Sequence, residues 1–464
     1  MGIMSLSRQE VLDDVKGGRI TVCVIGLGRV GLPTAAVFAE AGARVLGADI
    51  NRAVTQLIES GKCQFHDEPG LDALIEALVK NGNLKATVDV SSAVKEADAV
   101  IVCVPTPVDE SKVPDYSAVK AACLNTAKTL RRDCLVIVES TVGPGTVEDM
   151  VVPLLEEGTK MKAGVDFGVA SCPERADPGR VLQNLKVVPR IVGGIDQRSA
   201  DAAAALYEAA LGVKVVRVRD PKTANAVKLT ENLFRDVNIA LANEFAILYE
   251  KLGIDTVEVI NACSTKYNFM PHYPGAGVGG PCLPQNPYYL IVEGVKVGNI
   301  PYLVRMAREI NDRMPEHVVT LVTEALNDIG KTVRGSKIAM LGVAYKPNIH
   351  DLQLTPMEKV FNRLKEMGAS LTIYDPMFRG EEVFGCRVKE SLSDAVKGTD
   401  CIIIGTAHKE FYNMDLATIS RLSSKPAAFV DSRHILDPST IKSTGLPIEG
   451  WEGAKKSLRK WGFL

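Results

Sequence analysis

Cys282 stands in the run GAGVGGPCLP at positions 275–284, and a thiol at the end of a glycine-rich loop, just ahead of a predicted helix, is placed for covalent chemistry. Glycines let a backbone approach a ligand closely, and a helix N-terminus favours thiolate over thiol. The bland reading, a small buried hydrophobe, suits most of the ten cysteines. Cys282 is set apart because an independent signal elsewhere in the chain makes an oxidising thiol useful.

That signal is VCVIGLGRVGLPTAAVF at 22–38: an apolar strand pattern, then Gly26, Gly28 and Gly31, then a helical pattern. A second short strand, RVLGAD at 44–49, ends in Asp49. In this context Gly26 allows the tight turn, Gly28 lets backbone amides reach a pyrophosphate, and Gly31 lets the helix pack close to the strand. Asp49, eighteen residues past Gly31, falls where a carboxylate accepts hydrogen bonds from an adenosine ribose. The pattern predicts a dinucleotide site, against the alternative of a ligand-free βα turn. The acid favours NAD over NADP, and Arg52 nearby leaves that choice open.

A third constellation is KLTENLFRDVNIALANE at 228–244. Lys228 and Asn232 are four apart and share one helix face. An ammonium and an amide pointing the same way can stabilise a developing oxyanion, and a solvated polar stripe explains the same spacing.

The elements that must hold these groups are written twice. Apolar strands are expected at 22–26, 45–48, 99–104, 135–138, 168–170 and 190–193, with helical patterns between most of them. The alternation resumes with strands at 337–342, 370–375, 401–405 and 427–431. The fold class is therefore α/β, two Rossmann-like doubly wound parallel-sheet domains joined by a long helical central segment. The expected division is an N-terminal extension at 1–18, a NAD-binding domain at 19–215, a central helical domain with the catalytic loop at 216–330, and a second α/β domain at 331–464. That second copy lacks the third glycine, so dinucleotide binding is not implied there.

At 464 residues the chain exceeds one core. A net charge of −2 with 24% charged residues gives no global field to recruit nucleic acid or a membrane surface. No run of eighteen apolar residues and no signal-peptide pattern is found, so a cytoplasmic protein is expected. The scattered cysteines and six histidines suggest neither a disulfide framework nor a metal site.

Over nearly all its length after about residue 19 the chain resembles the UDP-glucose/GDP-mannose dehydrogenase family. The resemblance is carried by 26–49, VPTP at 104–107, ESTVGPGT at 139–146, CPE at 172–174, 228–244, 275–290, AYKP at 344–347 and VDSR at 430–433. CPERADPG at 172–179 and PGAGVGG at 274–280 look more like the UDP-N-acetylhexosamine branch, which acts on UDP-N-acetylmannosamine or related sugars. The resemblance implies a four-electron oxidation of C6 to a carboxylate using two NAD in succession. Cys282 would form a thiohemiacetal and then a thioester. Lys228 and Asn232 would hold the C6 oxygen, Glu174 and Thr141 would serve proton transfer and water placement, and Asn286 would stand beside the nucleophile.

By the same resemblance, Gly26, Gly28, Val30, Gly31, Asp49, Arg52, Thr106 and Thr141 would hold NAD. Tyr273, Gly277, Gly279, Lys346 and Arg433, with Glu174, Lys228 and Asn232, would meet the sugar nucleotide. Lys346 follows the first strand of the second domain, where ligands of open α/β sheets collect. The family is commonly dimeric or larger, and an apolar face at 239–248 could serve such a homodimer.

The chain departs from the family pattern in places. Asn286 stands where Asp is usual, Gln285 at a position usually basic, Pro281 where the acetamido-sugar branch often has His, Gln353 where Arg is usual, and Asn225 where Glu is common. Two other readings stay open. One is a two-electron β-hydroxyacid-type dehydrogenase, which Cys282 and the second α/β domain argue against. The other is a non-catalytic nucleotide-sugar binder, to which Asn286 and Gln353 lend weight.

Overall fold

A computed structural model describes residues 2–177, 179–446 and 448–450; Pro178 of the 172–179 motif and the end of the expected C-terminal domain, 451–464, lie outside the described residues. Contacts divide the chain into two units. One comprises residues up to Glu231 together with Tyr288–Ile300; the other comprises Asn232–Pro287 and the described residues from Pro301 onward.

The first unit is built on eight strands: β1 (Thr21–Ile25), β2 (Arg44–Ala48), β3 (Leu84–Thr87), β4 (Ala99–Val102), β5 (Leu135–Val138), β6 (Gly168–Ser171), β7 (Arg190–Gly194) and β8 (Val215–Val218). They lie in the order β3-β2-β1-β4-β5-β6-β7-β8. Buried Val, Ile and Cys on both faces of β1, β4 and β5 make these the fully covered strands of a sheet with helices on each side. The edge strands β3 and β8 were not expected from the sequence. Both carry exposed residues, so neither shows the continuous apolar run of a central strand.

The expectation of a wholly parallel sheet needs one correction. β7 pairs antiparallel with β6 through Ala170↔Gly194 and Ser171↔Gly193, and β8 follows β7 in parallel. The reversal has a consequence for chemistry. In an antiparallel register the first residue of β7, Arg190, lies beyond the last residue of β6, among the loops at the carboxyl ends of the parallel strands.

The second unit holds β9 (Lys337–Leu341), β10 (Ser370–Tyr374), a small antiparallel pair β11 (Glu382–Val383) and β12 (Cys386–Arg387), then β13 (Cys401–Ile404), β14 (Ala428–Asp431) and β15 (Ile448–Gly450). The main sheet runs β10-β9-β13-β14-β15 and is parallel throughout. The helix Tyr302–Asp328 buries Met314, Val318, Leu321 and Val322 in a core shared with Ile338, Met340, Ile403 and Val430 of this sheet.

The central stretch is helical as expected, with helices Pro221–Leu252, Thr256–Cys263, Asn286–Lys296 and Tyr302–Asp328. Within the N-terminal extension a short helix, Arg8–Lys16, is closed by a Ser7/Glu10 capping box and anchored by buried Val11 and Val15. Among the described residues no helix is long and apolar enough to cross a membrane.

Candidate active site

The glycine turn after β1 has the geometry its sequence predicts. Gly26 adopts φ 92°, and a Cβ there would come within 2.6 Å of the Cys103 carbonyl oxygen. A Cβ on Gly31 would collide with the carbonyl oxygen of Gly26, so the helix Gly31–Glu40, which Val30 precedes as N-cap, packs as close to β1 as backbone allows. Gly28 differs, because a Cβ there would meet nothing within 4 Å. That space beside the start of a helix fits a dinucleotide pyrophosphate. Asp49 lies next to it, its Oδ2 accepting the Leu27 N–H at 2.8 Å and its Oδ1 the Asn51 N–H at 2.8 Å. Each oxygen keeps a lone pair for a ribose hydroxyl. Arg52 opens the next helix and is exposed.

Residues without a sequence signal support this turn. Arg29 Nη1 donates to both Asp67 carboxylate oxygens, at 3.0 and 2.9 Å, and Gln64 donates to the Leu27 carbonyl at 3.2 Å. Thr106 Oγ1 donates to the Thr141 carbonyl at 2.8 Å, and the Tyr289 hydroxyl donates to the Thr106 carbonyl. The two threonines expected at the cofactor are thereby tied to each other.

Glu174 is no loop carboxylate on the surface. It is buried, with Oε1 accepting the N–H groups of Arg175 and Ala176, each at 2.6 Å, and Oε2 accepting Arg190 Nη1 at 2.7 Å. Arg190 is itself 1% exposed, lies over the Tyr207 ring at 5.2 Å, and also pairs with Glu139. Cys103 donates to the same Glu139 carboxyl at 3.1 Å. Burial pushes Glu139 up to about 8, against the pull of Arg190 and with the repulsion of Glu174. Burial would raise Glu174 too, but the charge and hydrogen bond of Arg190, the charge of Lys228 and the Ala176 amide hold it below the ordinary carboxylate range. The two carboxylates around one guanidinium are pushed apart, Glu174 toward the ionised form and Glu139 toward the protonated one.

Lys228, on the helix Pro221–Leu252, is buried. Its charge acts on Glu174, so the polar-stripe reading does not describe it. Asn225, one turn earlier, accepts from Ser171 at 3.0 Å and donates to the Pro221 carbonyl at 3.0 Å, tying the helix to the end of β6.

In the second unit Asn232 Nδ2 donates to Asn286 Oδ1. Asn286 is 3% exposed and begins the helix Asn286–Lys296. The N–H groups of Asn286 and Gln285 both donate to the Cys282 carbonyl, at 2.8 and 3.1 Å. Half-buried Cys282 is therefore fixed at the turn that starts the helix, as its sequence position predicts.

The glycine loop before Cys282 is shaped by protein contacts more than the sequence implies. A Cβ on Gly279 would come within 2.8 Å of Leu354 and Tyr345 atoms, and one on Gly280 within 2.6 Å of the Tyr345 ring, while Gly277 has φ 123°. The Gly275 amide donates to Asn243 Oδ1 and the Gly280 amide to the Gln353 carbonyl, both at 2.9 Å. These two amides of the glycine loop are spent within the fold. Arg433 Nη1 lies where a Cβ on Gly275 would sit, so this guanidinium covers the same loop. Tyr273 donates to Asn261 Oδ1 at 2.9 Å from an exposed position. Lys346 is half-buried in the segment after β9 whose Tyr345 packs on Gly280.

Behind the loop lies a buried network absent from the sequence reading. Asn243 donates to Asn311 at 2.8 Å, Asn311 donates to Asp236 Oδ1 at 2.9 Å, and Arg308 donates to the same Asp236 oxygen at 2.7 Å. Helical periodicity marks these positions as inward but not as partners. Among the described residues no group of three or more His, Cys, Asp or Glu side chains is arranged to hold a metal ion.

Three family models match the chain in succession: the UDP-glucose/GDP-mannose dehydrogenase family NAD binding domain over residues 20–211, its central domain over 222–313 and its UDP binding domain over 339–438. Over 415 residues the chain is 38% identical to the UDP-N-acetyl-D-mannosamine dehydrogenase of Pyrococcus horikoshii, with 89% of this chain and 96% of that protein covered. The structure of a UDP-D-ManNAc dehydrogenase from the same organism superposes with a TM-score of 0.86 at 36% identity, covering 93% of this chain and 99% of that one. An NDP-N-acetyl-D-galactosaminuronic acid dehydrogenase from Methanosarcina mazei Go1 is similar with a TM-score of 0.82 at 33% identity, covering 97% and 98%.

Proposed function

Because the chain belongs to the UDP-glucose/GDP-mannose dehydrogenase family, whose NAD-binding domain makes it an NAD-dependent nucleotide-sugar dehydrogenase, we propose that it oxidises C6 of a UDP-N-acetylhexosamine to the uronic acid, with UDP-N-acetyl-D-mannosamine the first candidate. The names of the relatives from P. horikoshii and M. mazei both point to an acetamido sugar, though to different hexoses. Residues 19–215 are assigned to NAD, 216–330 to the catalytic loop and subunit contact, and 331–464 to the sugar nucleotide. Polysaccharide or glycan synthesis would consume the product.

The amides around Gly28 and the Asp49 carboxylate would hold NAD, which when bound would take up one hydride from C6 in each of the two oxidations. The chain's own groups do the rest. Lys228 and Asn232 stabilise the C6 oxygen as it gains charge. The Cys282 thiolate adds to the C6 aldehyde to give a thiohemiacetal, then carries the acyl group as a thioester, so that no aldehyde is released between the oxidations. Glu174, ionised beside Arg190 and Lys228, takes a proton from the water that releases the acid and regenerates the thiol. The sum consumes two NAD and one water and yields two NADH, the carboxylate and three protons.

The observation that carries this reading is the fixing of Cys282 at the start of the helix Asn286–Lys296 while Asn286 holds the Asn232 amide. Asn286 keeps the arrangement without itself carrying a proton. The chain is also proposed to act as a homodimer or larger assembly. Phe234, Leu241, Phe245, Leu248 and Leu252 follow helical spacing on the helix Pro221–Leu252, and each is 38–58% exposed, an apolar face that suits a second copy.

NADH counted per mole across UDP-N-acetylmannosamine, UDP-N-acetylgalactosamine, UDP-N-acetylglucosamine and UDP-glucose tests the assignment, with Cys282→Ser in parallel. Two NADH from one acetamido sugar, lost in the variant, is the expected result. One NADH per sugar, or wild-type yield from the variant, overturns the thioester route.

A further inference from the structure

The second sheet repeats the strand, turn and aspartate of the first, but its aspartate has different work. Asp375, directly after β10, accepts the N–H groups of Val343 at 2.7 Å and Ala344 at 3.2 Å on Oδ2, as Asp49 accepts the amides of Leu27 and Asn51. The same Oδ2 lies 3.0 Å from His408 Nε2, and both side chains are 0% exposed. Asp375 is thus closed off by an imidazole at the position where Asp49 remains partly open.

The other imidazole nitrogen, Nδ1, accepts the backbone N–H of Asn348 at 3.0 Å, and Asn348 Oδ1 in return accepts the Lys409 N–H at 3.1 Å. An amide N–H can only donate, so Nδ1 carries the lone pair and Nε2 the proton, which points at Asp375. Asn348 is held at φ 59°, a left-handed conformation that asparagine tolerates but that needs fixing. Two residues before Lys346, the Ala344 carbonyl accepts Thr406 Oγ1 at 2.6 Å. Two residues after it, Asn348 is held by His408. The turn that carries Lys346 is pinned on both sides, and His408 makes the downstream pin.

We propose that His408 is a positioning residue for a nucleoside diphosphate: through its Nδ1 and the Asn348 amide it fixes the turn from which Lys346 meets the UDP portion of the substrate. This rests on the assignment of Lys346 to the nucleotide under the proposed function. His408 touches no substrate; it sets where the ammonium is, so its loss weakens nucleotide affinity and leaves the chemistry at C6 alone.

Two near-isosteric variants separate the two nitrogens. In His408→Asn the amide oxygen takes the place of Nδ1 and keeps the Asn348 bond while losing Asp375. In His408→Gln the amide nitrogen takes the place of Nε2 and keeps Asp375 while losing Asn348. Each loses one buried hydrogen bond, so melting temperatures of the two full-length proteins should fall by similar amounts. Calorimetric titration with UDP is expected to show His408→Gln weakened about tenfold, equivalent to about 1.4 kcal/mol, and His408→Asn within about twofold of wild type. In steady-state assays KM for the UDP-sugar should rise in His408→Gln with kcat and KM for NAD unchanged. Equal UDP affinity in both variants, or a KM for NAD that moves in step, overturns the proposal. Should His408→Gln not fold, hydrogen exchange of the Asn348 amide, the donor to Nδ1, is followed in wild type and in His408→Asn: slow exchange in both is expected, and fast exchange in wild type, which would mean that Nδ1 does not hold the turn, counts against the proposal. Lys346→Ala distinguishes the two levels. If it leaves UDP affinity intact the Lys346 assignment falls and the proposal with it, whereas weak binding in Lys346→Ala beside normal binding in His408→Gln removes the proposal alone.

Discussion

Arg190 Nη1 lies 2.7 Å from Glu174 Oε2, and it reaches that carboxylate because β7 runs against β6. A parallel β7 would have placed its first residue at the amino ends of the parallel strands, away from Glu174. The same guanidinium holds Glu139, so a single buried cation serves two acids, and the shift of Glu139 toward its protonated form favours a charged Glu174.

Glu139 gives a pH signature in stability. Burial raises its pKa from the ordinary 4.5 to about 8, so the native protein holds a proton that the unfolded chain has lost. Its contribution is complete below the unfolded value and is lost as pH rises through about 8, with a slope of at most about 1.4 kcal/mol per pH unit. Glutamine cannot titrate. The melting temperature of Glu139→Gln relative to wild type should therefore climb between about pH 5 and pH 8, and a pH-independent difference would show that Glu139 is ionised in the native state.

Lys228 is predicted to act twice. Lys228→Met should lower kcat by roughly 10²–10³-fold through loss of oxyanion stabilisation, with a smaller change in KM. Lys228 also helps to hold the Glu174 pKa down, so in its absence Glu174 protonates at higher pH. If Glu174 must be ionised to activate water, the acidic limb of the kcat profile shifts upward in pH in the variant. A profile scaled down but unshifted would separate Lys228 from Glu174.

Much of this was legible in the chain, for physical reasons that also mark where legibility stops. The glycine turn could be read because each glycine answers a local constraint: positive φ at Gly26 and close approach at Gly31. The strands β1, β4 and β5 could be read because they are buried on both faces and hence apolar throughout. Edge strands β3 and β8 lack that mark. Arg190 and His408 were invisible as site components because their meaning is set by partners 51 and 33 residues away, Glu139 and Asp375. An arginine opening a strand announces neither the strand's direction nor the acids beyond it. The loop around Cys282 misled in one respect: glycines at 279 and 280 pointed to a ligand, while Tyr345 and Leu354 occupy the space their side chains would need.

The glycine turn offers a test in which two conservative changes part ways. Gly31→Ala places a methyl against the Gly26 carbonyl oxygen and should destabilise the protein by on the order of 1–3 kcal/mol. Gly28→Ala meets nothing within 4 Å, so its stability should stay within about 0.5 kcal/mol of wild type. Its methyl instead enters the space assigned to the pyrophosphate, and KM for NAD should rise about tenfold or more. Denaturant melts and NAD titration of both proteins decide the matter. Normal NAD affinity in Gly28→Ala would move the cofactor away from this turn.

The exposed face of the helix Pro221–Leu252 can be tested without reference to catalysis. Phe245 stacks on Tyr249 with ring centroids 5.5 Å apart, and Leu248 and Leu252 continue the face at 49% and 58% exposure. Apolar side chains in such a row cost solubility unless a second surface covers them. Carboxylates introduced by Phe245→Glu and Leu248→Glu would be tolerated by a helix open to water but not by one buried against its twin, where each would be an unpaired buried charge. Light scattering on the size-exclusion eluate should give twice the chain mass for wild type and the single chain mass for the double variant, with the helical circular dichroism retained. A wild-type protein eluting as one chain would leave this face to some other partner and remove the homodimer from the proposed function.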